Sequence, residues 1–246
     1  MSDAHRRVAL VAGATGRFGE ALLNRVLADG DYAEVVALAQ APMSLGVRGL
    51  ALAPLHALPP VHDAFVAVAA PGAPARSFHG RDAAWVAVEP ARLLAVAQAA
   101  CAAGARRLVL VSPTPVWQQM GGLRAGLAGE AELALAALPF SSLTVLRPVV
   151  EAGGKAMGWV ERVASIYTSL QMLAMPRSMP VLRSEELARC AVAAMRRARD
   201  GVSVLGADRI PALLAPVTPP ADSPAPVGPE AASRPPAADP PRKTSP

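Results

Sequence analysis

The sequence predicts an α/β fold: a doubly wound parallel sheet with a small C-terminal cap and a disordered, Pro-rich tail. Three observations predict it. Short apolar runs alternate with amphipathic ones, the pattern of repeated βαβ units. The first apolar run passes through "GATGRFG" into an amphipathic run, with Gly13, Gly16 and Gly19 three residues apart. The last 31 of the 246 residues hold 11 prolines and almost no large apolar side chain.

Taken in order, "RVALVAG" (7–13) is the first strand. "EALLNRVLADG" (20–30) is a helix with Ala21, Leu22, Val26 and Leu27 on one face and Gly30 as its stop. "EVVALA" (34–39) is a second strand, "GLALAPL" (49–55) a weaker third, and "DAFVAVAAPG" (63–72) a fourth ending in Pro-Gly. "WVAVEPARLLAVAQAACAAGA" (85–105) reads as one long helical region closed by Gly104. "RRLVLVSP" (106–113) is a fifth strand, "EAELALAAL" (130–138) a helix and "SSLTVLRP" (141–148) a sixth strand. Two helices follow, over 159–175 and 184–198, the second with Ser184 as N-cap and acidic residues in its first turn. "VSVLG" (202–206) is a last short strand. Residues 1–215 then form one domain, and 216–246 a tail that buries too little surface to offset its ordering entropy. The tail is expected to be dispensable for folding.

Composition excludes several function classes. The chain carries 22 Arg against two Lys, and a net charge of +5. The Arg residues are scattered and form no basic stripe interleaved with aromatics, so no nucleic acid is expected as partner. Cys101 and Cys190 lie in Ala-rich segments and read as buried thiols. His5, His56, His62 and His79 lack ligand spacing, so no metal is expected. There is no apolar run of 18 residues, so no membrane span is expected. Arg6-Arg7 before an apolar run only faintly mimics a signal peptide, and a cytoplasmic location is expected.

The glycine turn is the main functional signal. Gly13 ends the strand, Gly16 lets phosphate oxygens approach the backbone, and Gly19 lets the helix pack on the sheet. The helix start offers free N–H groups and a positive dipole end to a pyrophosphate. A strand before, a helix after and a βαβ unit following supply the context of a Rossmann dinucleotide site. NAD binders commonly place an acid at the end of the second strand. Here that place reads Ala39-Gln40-Ala41, and Arg17 inside the turn can face a 2′-phosphate, so the lean is to NADP over NAD.

"GATGRFG", "DAFVAVAAPG", "GARRLVLVSP" and "LPFSSLTVLRP" together resemble the atypical short-chain dehydrogenase/reductases, closest in flavour to the NmrA-like and Tat-interacting-protein-like NAD(P)H-binding group. The resemblance runs from about residue 7 to 214 and includes "MPVLRSEELARCAVAAM" (179–195). It implies a cofactor set of Gly13, Thr15, Gly16, Arg17, Phe18, Gly19, Gln40, Ala70, Pro71 and Ser112. It also implies a Tyr acid/base with a Lys four residues later, which depresses the Tyr pKa. This chain departs from that pattern. Its tyrosines, Tyr32 and Tyr167, are followed at that spacing by Val36 and Gln171. A gapless placement puts Arg124 and Ala128 at the family's Tyr and Lys positions. Ser112 and Thr114 remain as hydroxyls, each equally suited to a local turn. Lys155, the one lysine before the tail, follows the sixth strand and reads as a solvated side chain. No catalytic residue is assigned. The expected function is a dinucleotide-binding sensor or structural or regulatory protein, working through a protein partner the sequence does not identify. The alternative is an NADPH-dependent oxidoreductase of a small carbonyl or quinone, with a non-standard proton donor.

Overall fold

The computed structural model describes residues 7–41, 46–69, 85–114, 127, 130–149 and 182–215. The chain divides into two units, 1–215 and 216–246, and all described residues belong to the first. Seven strands form one sheet: β1 (Val8–Ala12), β2 (Glu34–Leu38), β3 (Leu50–Ala53), β4 (Asp63–Ala67), β5 (Arg107–Val111), β6 (Ser142–Arg147) and β7 (Gly201–Gly206). Their order is β3-β2-β1-β4-β5-β6-β7, and every pairing is parallel. This is the doubly wound Rossmann arrangement with a seventh parallel strand added at one edge.

The described helices are α1 (Gly16–Leu27), α2 (Leu93–Ala102), α3 (Glu130–Ala136) and α4 (Ser184–Arg196). Side chains of the inner strands alternate between two cores. Ala9, Val11, Val35, Ala37, Phe65 and Val109 face α1 and α4, together with Leu22, Val26, Ala191 and Met195. Leu10, Ala12, Val36, Ala64, Val66 and Leu108 face the other side, with Val96, Ala97 and Leu135 from α2 and α3. Strands buried on both faces read as unbroken apolar runs, which is why "VALVA" and "RLVLV" carry no polar alternation.

Several expectations shift. The region 85–105 is not one helix. Trp85 pairs antiparallel with Ala39, Val88 pairs parallel with Val68, and α2 starts only at Leu93, after a 3₁₀ turn over Pro90–Arg92. Pro90 is the cause. It disfavours helical backbone at the residue before it, and Glu89 is extended at φ −78°, ψ 155°. Gly104 does close α2, at φ +100°, in a Schellman motif: its N–H donates to the Cys101 carbonyl at 2.9 Å and the Ala105 N–H to the Ala100 carbonyl at 3.0 Å. Gly30 is not the stop of α1, whose C-cap is Ala28. The N-cap of α4 is Arg183 rather than Ser184, and its backbone N–H donates to the Glu186 side chain at 3.2 Å. The helix expected over 159–175 lies outside the described residues, as do Arg124, Ala128, Lys155, Tyr167 and the tail. Among the described residues no helix is long and apolar enough to cross a membrane.

The amino ends of the strands are tied by charge. Asp63, at the start of β4, is 1 % exposed and accepts from Arg7, from Arg107 Nε at 2.7 Å and Nη2 at 2.9 Å, and from the Tyr32 hydroxyl at 3.0 Å. Burial pushes the Asp63 carboxyl above the usual carboxylate range, and the Arg7 guanidinium and Tyr32 hydroxyl pull against it. Burial, then the Asp63 carboxylate, drive the Tyr32 phenol far above its ordinary value, so it remains a donor. On the same side Arg196, the last residue of α4, bridges Asp29 and Asp31 just beyond α1.

Candidate dinucleotide site at the carboxyl ends of the strands

In an open parallel sheet, ligands bind beyond the carboxyl ends where strand order reverses. That point falls here between β1 and β4. The turn after β1 runs Gly13-Ala14-Thr15 into α1, and its three glycines have three different reasons. A Cβ on Gly13 would lie 2.0 Å from the Ala67 carbonyl oxygen, and the residue sits at φ +81°. Gly13 is therefore demanded by the close approach of β1 to the end of β4. A Cβ on Gly19 would lie 2.2 Å from the Gly13 carbonyl oxygen, so Gly19 lets α1 rest on its own entry turn. Gly16 sits at φ +68°, yet a Cβ there would meet nothing within 4 Å. Its constraint is backbone conformation alone, and it faces open space at the mouth of the helix.

Thr15 occupies the N-cap of α1 in extended conformation, and its side chain makes no capping bond. The first turn holds no acid. The N–H groups at this helix start thus keep their donor character and their positive dipole end. Arg17 is exposed on that first turn. Phe18, expected among the cofactor contacts, is half-buried and packs against the core under α1. Ala70 and Pro71 lie outside the described residues.

Gln40 follows β2 and is exposed. It lines a cleft of about 270 Å³ with Leu38, Leu55, His56, Arg92 and Val96. Sequence reading assigned no role to His56 or Arg92. The signal lay in Pro90, which ends the extended segment and sets Arg92 at the N-cap of α2.

The two hydroxyls after β5 part company. Thr114 Oγ1 donates to the Ser112 carbonyl at 3.1 Å, and Thr114 also bridges to Val149, so it serves the turn. The Ser112 backbone N–H donates to the Leu146 carbonyl at 2.9 Å, and its half-buried side chain has no hydrogen-bond partner among the described residues. At the end of β6, buried Arg147 pairs with buried Glu132 of α3. Burial pushes the thiol of Cys190 up to about 11, an inert thiol. No group of His, Cys, Asp and Glu among the described residues could hold a metal.

The residues at the turn fit a dinucleotide: a glycine whose Cβ direction is open and an uncapped, acid-free helix start. No family model matches the chain, and no curated protein does. Solved structures are similar at low identity. MoeE5 in complex with UDP-glucose and NAD is 19 % identical over 82 % of this chain and 75 % of that one, with a TM-score of 0.46. UDP-glucose 4-epimerase of Thermotoga maritima with UDP-glucose is 15 % identical over 81 % and 76 %, at 0.42. The PhqB reductase domain of Penicillium fellutanum is 17 % identical over 84 % and 67 %, at 0.44. By its own strand order and glycine turn, this chain is an α/β protein of the Rossmann type.

Proposed function

We propose that the chain is an NAD(P)-binding protein of the atypical short-chain dehydrogenase type, holding the dinucleotide as sensor or structural cofactor rather than reducing carbonyls by the usual route. The single observation carrying this reading is the turn Gly13–Gly19, which combines close backbone packing at Gly13 and Gly19 with an open approach at Gly16. The N–H groups of the α1 start hold the pyrophosphate, and the carboxyl ends of β4 and β5 receive the nicotinamide half. When bound, the cofactor supplies hydride chemistry. NADP is the preferred form, since Gln40 stands where an acid would hold the ribose hydroxyls of NAD.

The lack of a Tyr-x-x-x-Lys spacing motivates the regulatory reading. Tyr32 is committed to Asp63 at the opposite edge of the sheet and cannot serve as the acid. Losing general acid/base catalysis typically forfeits about 10²–10⁴ in rate. A second reading, an NADPH-dependent oxidoreductase, is favoured by one observation: Ser112 offers a hydroxyl at the carboxyl end of β5.

NADPH fluorescence titration tests the first reading. The wild type is expected to bind. Gly16→Val is expected to fold, since its Cβ meets no neighbour and only the strain of the positive φ opposes it, and to lose tenfold or more in affinity, about 1.4 kcal/mol. Unchanged binding by folded Gly16→Val overturns the placement. Turnover on a panel of aldehydes, ketones and quinones is expected near background, and robust turnover that Ser112→Ala abolishes establishes the second reading instead.

A further inference from the structure

The cleft beside Gln40 has a composition that says what it takes. Its floor is apolar, from Leu38, Leu55, Val86 and Val96. Among the described residues its polar side chains are Gln40, His56 and Arg92, with no carboxylate. At about 270 Å³ it is smaller than sites that enclose a whole drug-sized ligand, and suits one end of an extended molecule. Arg92 is exposed and makes no ion pair among the described residues. It stands at the N-cap of α2, where the helix end adds positive potential and no acid occupies the first turn. His56 lines the same cleft from the 3₁₀ turn after β3.

Place matters as much as charge. Leu38, Ala39 and Gln40 carry the cleft onto the end of β2, and β2 is hydrogen-bonded to β1, the strand that feeds the glycine turn. Neighbouring strands lie about 4.8 Å apart, so a dinucleotide leaving the turn toward β2 reaches the cleft with its adenosine half. Arg17, by contrast, is not among the residues that line the cleft.

We propose that this cleft takes the 2′-phosphoadenosine end of the dinucleotide, and that Arg92 with His56, rather than Arg17, reads the 2′-phosphate. The proposal rests on the reading that the glycine turn binds a dinucleotide. A guanidinium and an imidazole lining one cleft offer charge-assisted hydrogen bonds to a phosphate monoester. The free ribose hydroxyl of NAD offers no such partner.

Calorimetric titration of the full chain with 2′,5′-ADP, 5′-AMP, NADPH and NADH tests it. The wild type is expected to bind 2′,5′-ADP and NADPH roughly tenfold or more tightly than their counterparts lacking the phosphate. Arg92→Ala and Arg92→Gln are expected to close that gap by weakening NADPH about tenfold and NADH far less, with melting temperature unchanged, and His56→Gln to narrow it. Arg17→Ala is expected to preserve the ratio. A gap that persists in both Arg92 variants, or collapses in Arg17→Ala alone, overturns the assignment and leaves the dinucleotide reading standing. Equal binding of NADPH and NADH by the wild type does the same. Binding of neither by the wild type overturns both.

Discussion

Asp63→Ala is expected to cost about 3 kcal/mol of folding stability. Removing one partner of a buried ion pair typically costs about 3–5 kcal/mol, because the other charge stays buried without compensation. Here two guanidiniums lose their acceptor at once, and the Tyr32 hydroxyl with them. Arg7 and Arg107 keep side-chain exposures of 31 % and 26 %, so water recovers part of the loss and the lower end of the range applies. For a chain of this length about 2–4 °C of melting temperature follows each kcal/mol, so a fall of roughly 6–12 °C is expected in calorimetry. A midpoint within 2 °C of wild type would show that the network contributes no net stability.

Gly13→Ala is expected to damage folding by roughly 3 kcal/mol or more, where the same change at Gly16 costs about 1–2. Both sites have positive φ, at +81° and +68°, and share that conformational penalty. Only at Gly13 does the new methyl land inside another backbone, 2.0 Å from the Ala67 carbonyl oxygen. Relief requires β1 and β4 to part at the centre of the sheet, where Ala12 pairs with Val66. Urea unfolding of the two variants side by side reads the difference. Equal losses would falsify the division of labour among the three glycines.

The sheet was legible in the sequence because its inner strands are buried on both faces and turn residues bound them. The glycine turn was legible for the same local reason: strand, turn and helix are contiguous. What escaped was set at long range. "WVAVEP" runs without a break into the helical stretch after it, yet Trp85 and Val88 find partners on Ala39 and Val68, and Pro90 holds Glu89 extended. Asp63 read as the first residue of an apolar run. Nothing local reveals that Arg7, Tyr32 and Arg107, up to 56 residues away, converge on it. Phe18 reads as a contact for the ligand, and its half-buried ring also packs against the core under α1, a second role that its place in the turn does not announce. Arg92 was one arginine among 22 until the fold set it on the same cleft as His56.

The bonds that Asp63 and Arg196 make all lie where strands begin and helices end, away from the glycine turn. The two rims of the sheet therefore answer to different demands. The lower rim is a keel, whose cross-links hold four strands and two helices in register whatever is bound above. Apart from Gly13, Gly19 and the buried Arg147–Glu132 pair, the upper rim contributes donors and a cleft, so its exposed side chains, Arg17, Gln40 and Arg92 among them, can be exchanged at small thermodynamic risk. A scaffold divided in this way can change or shed a chemical activity without unfolding, and repurposing such a chain is a matter of rewriting one rim.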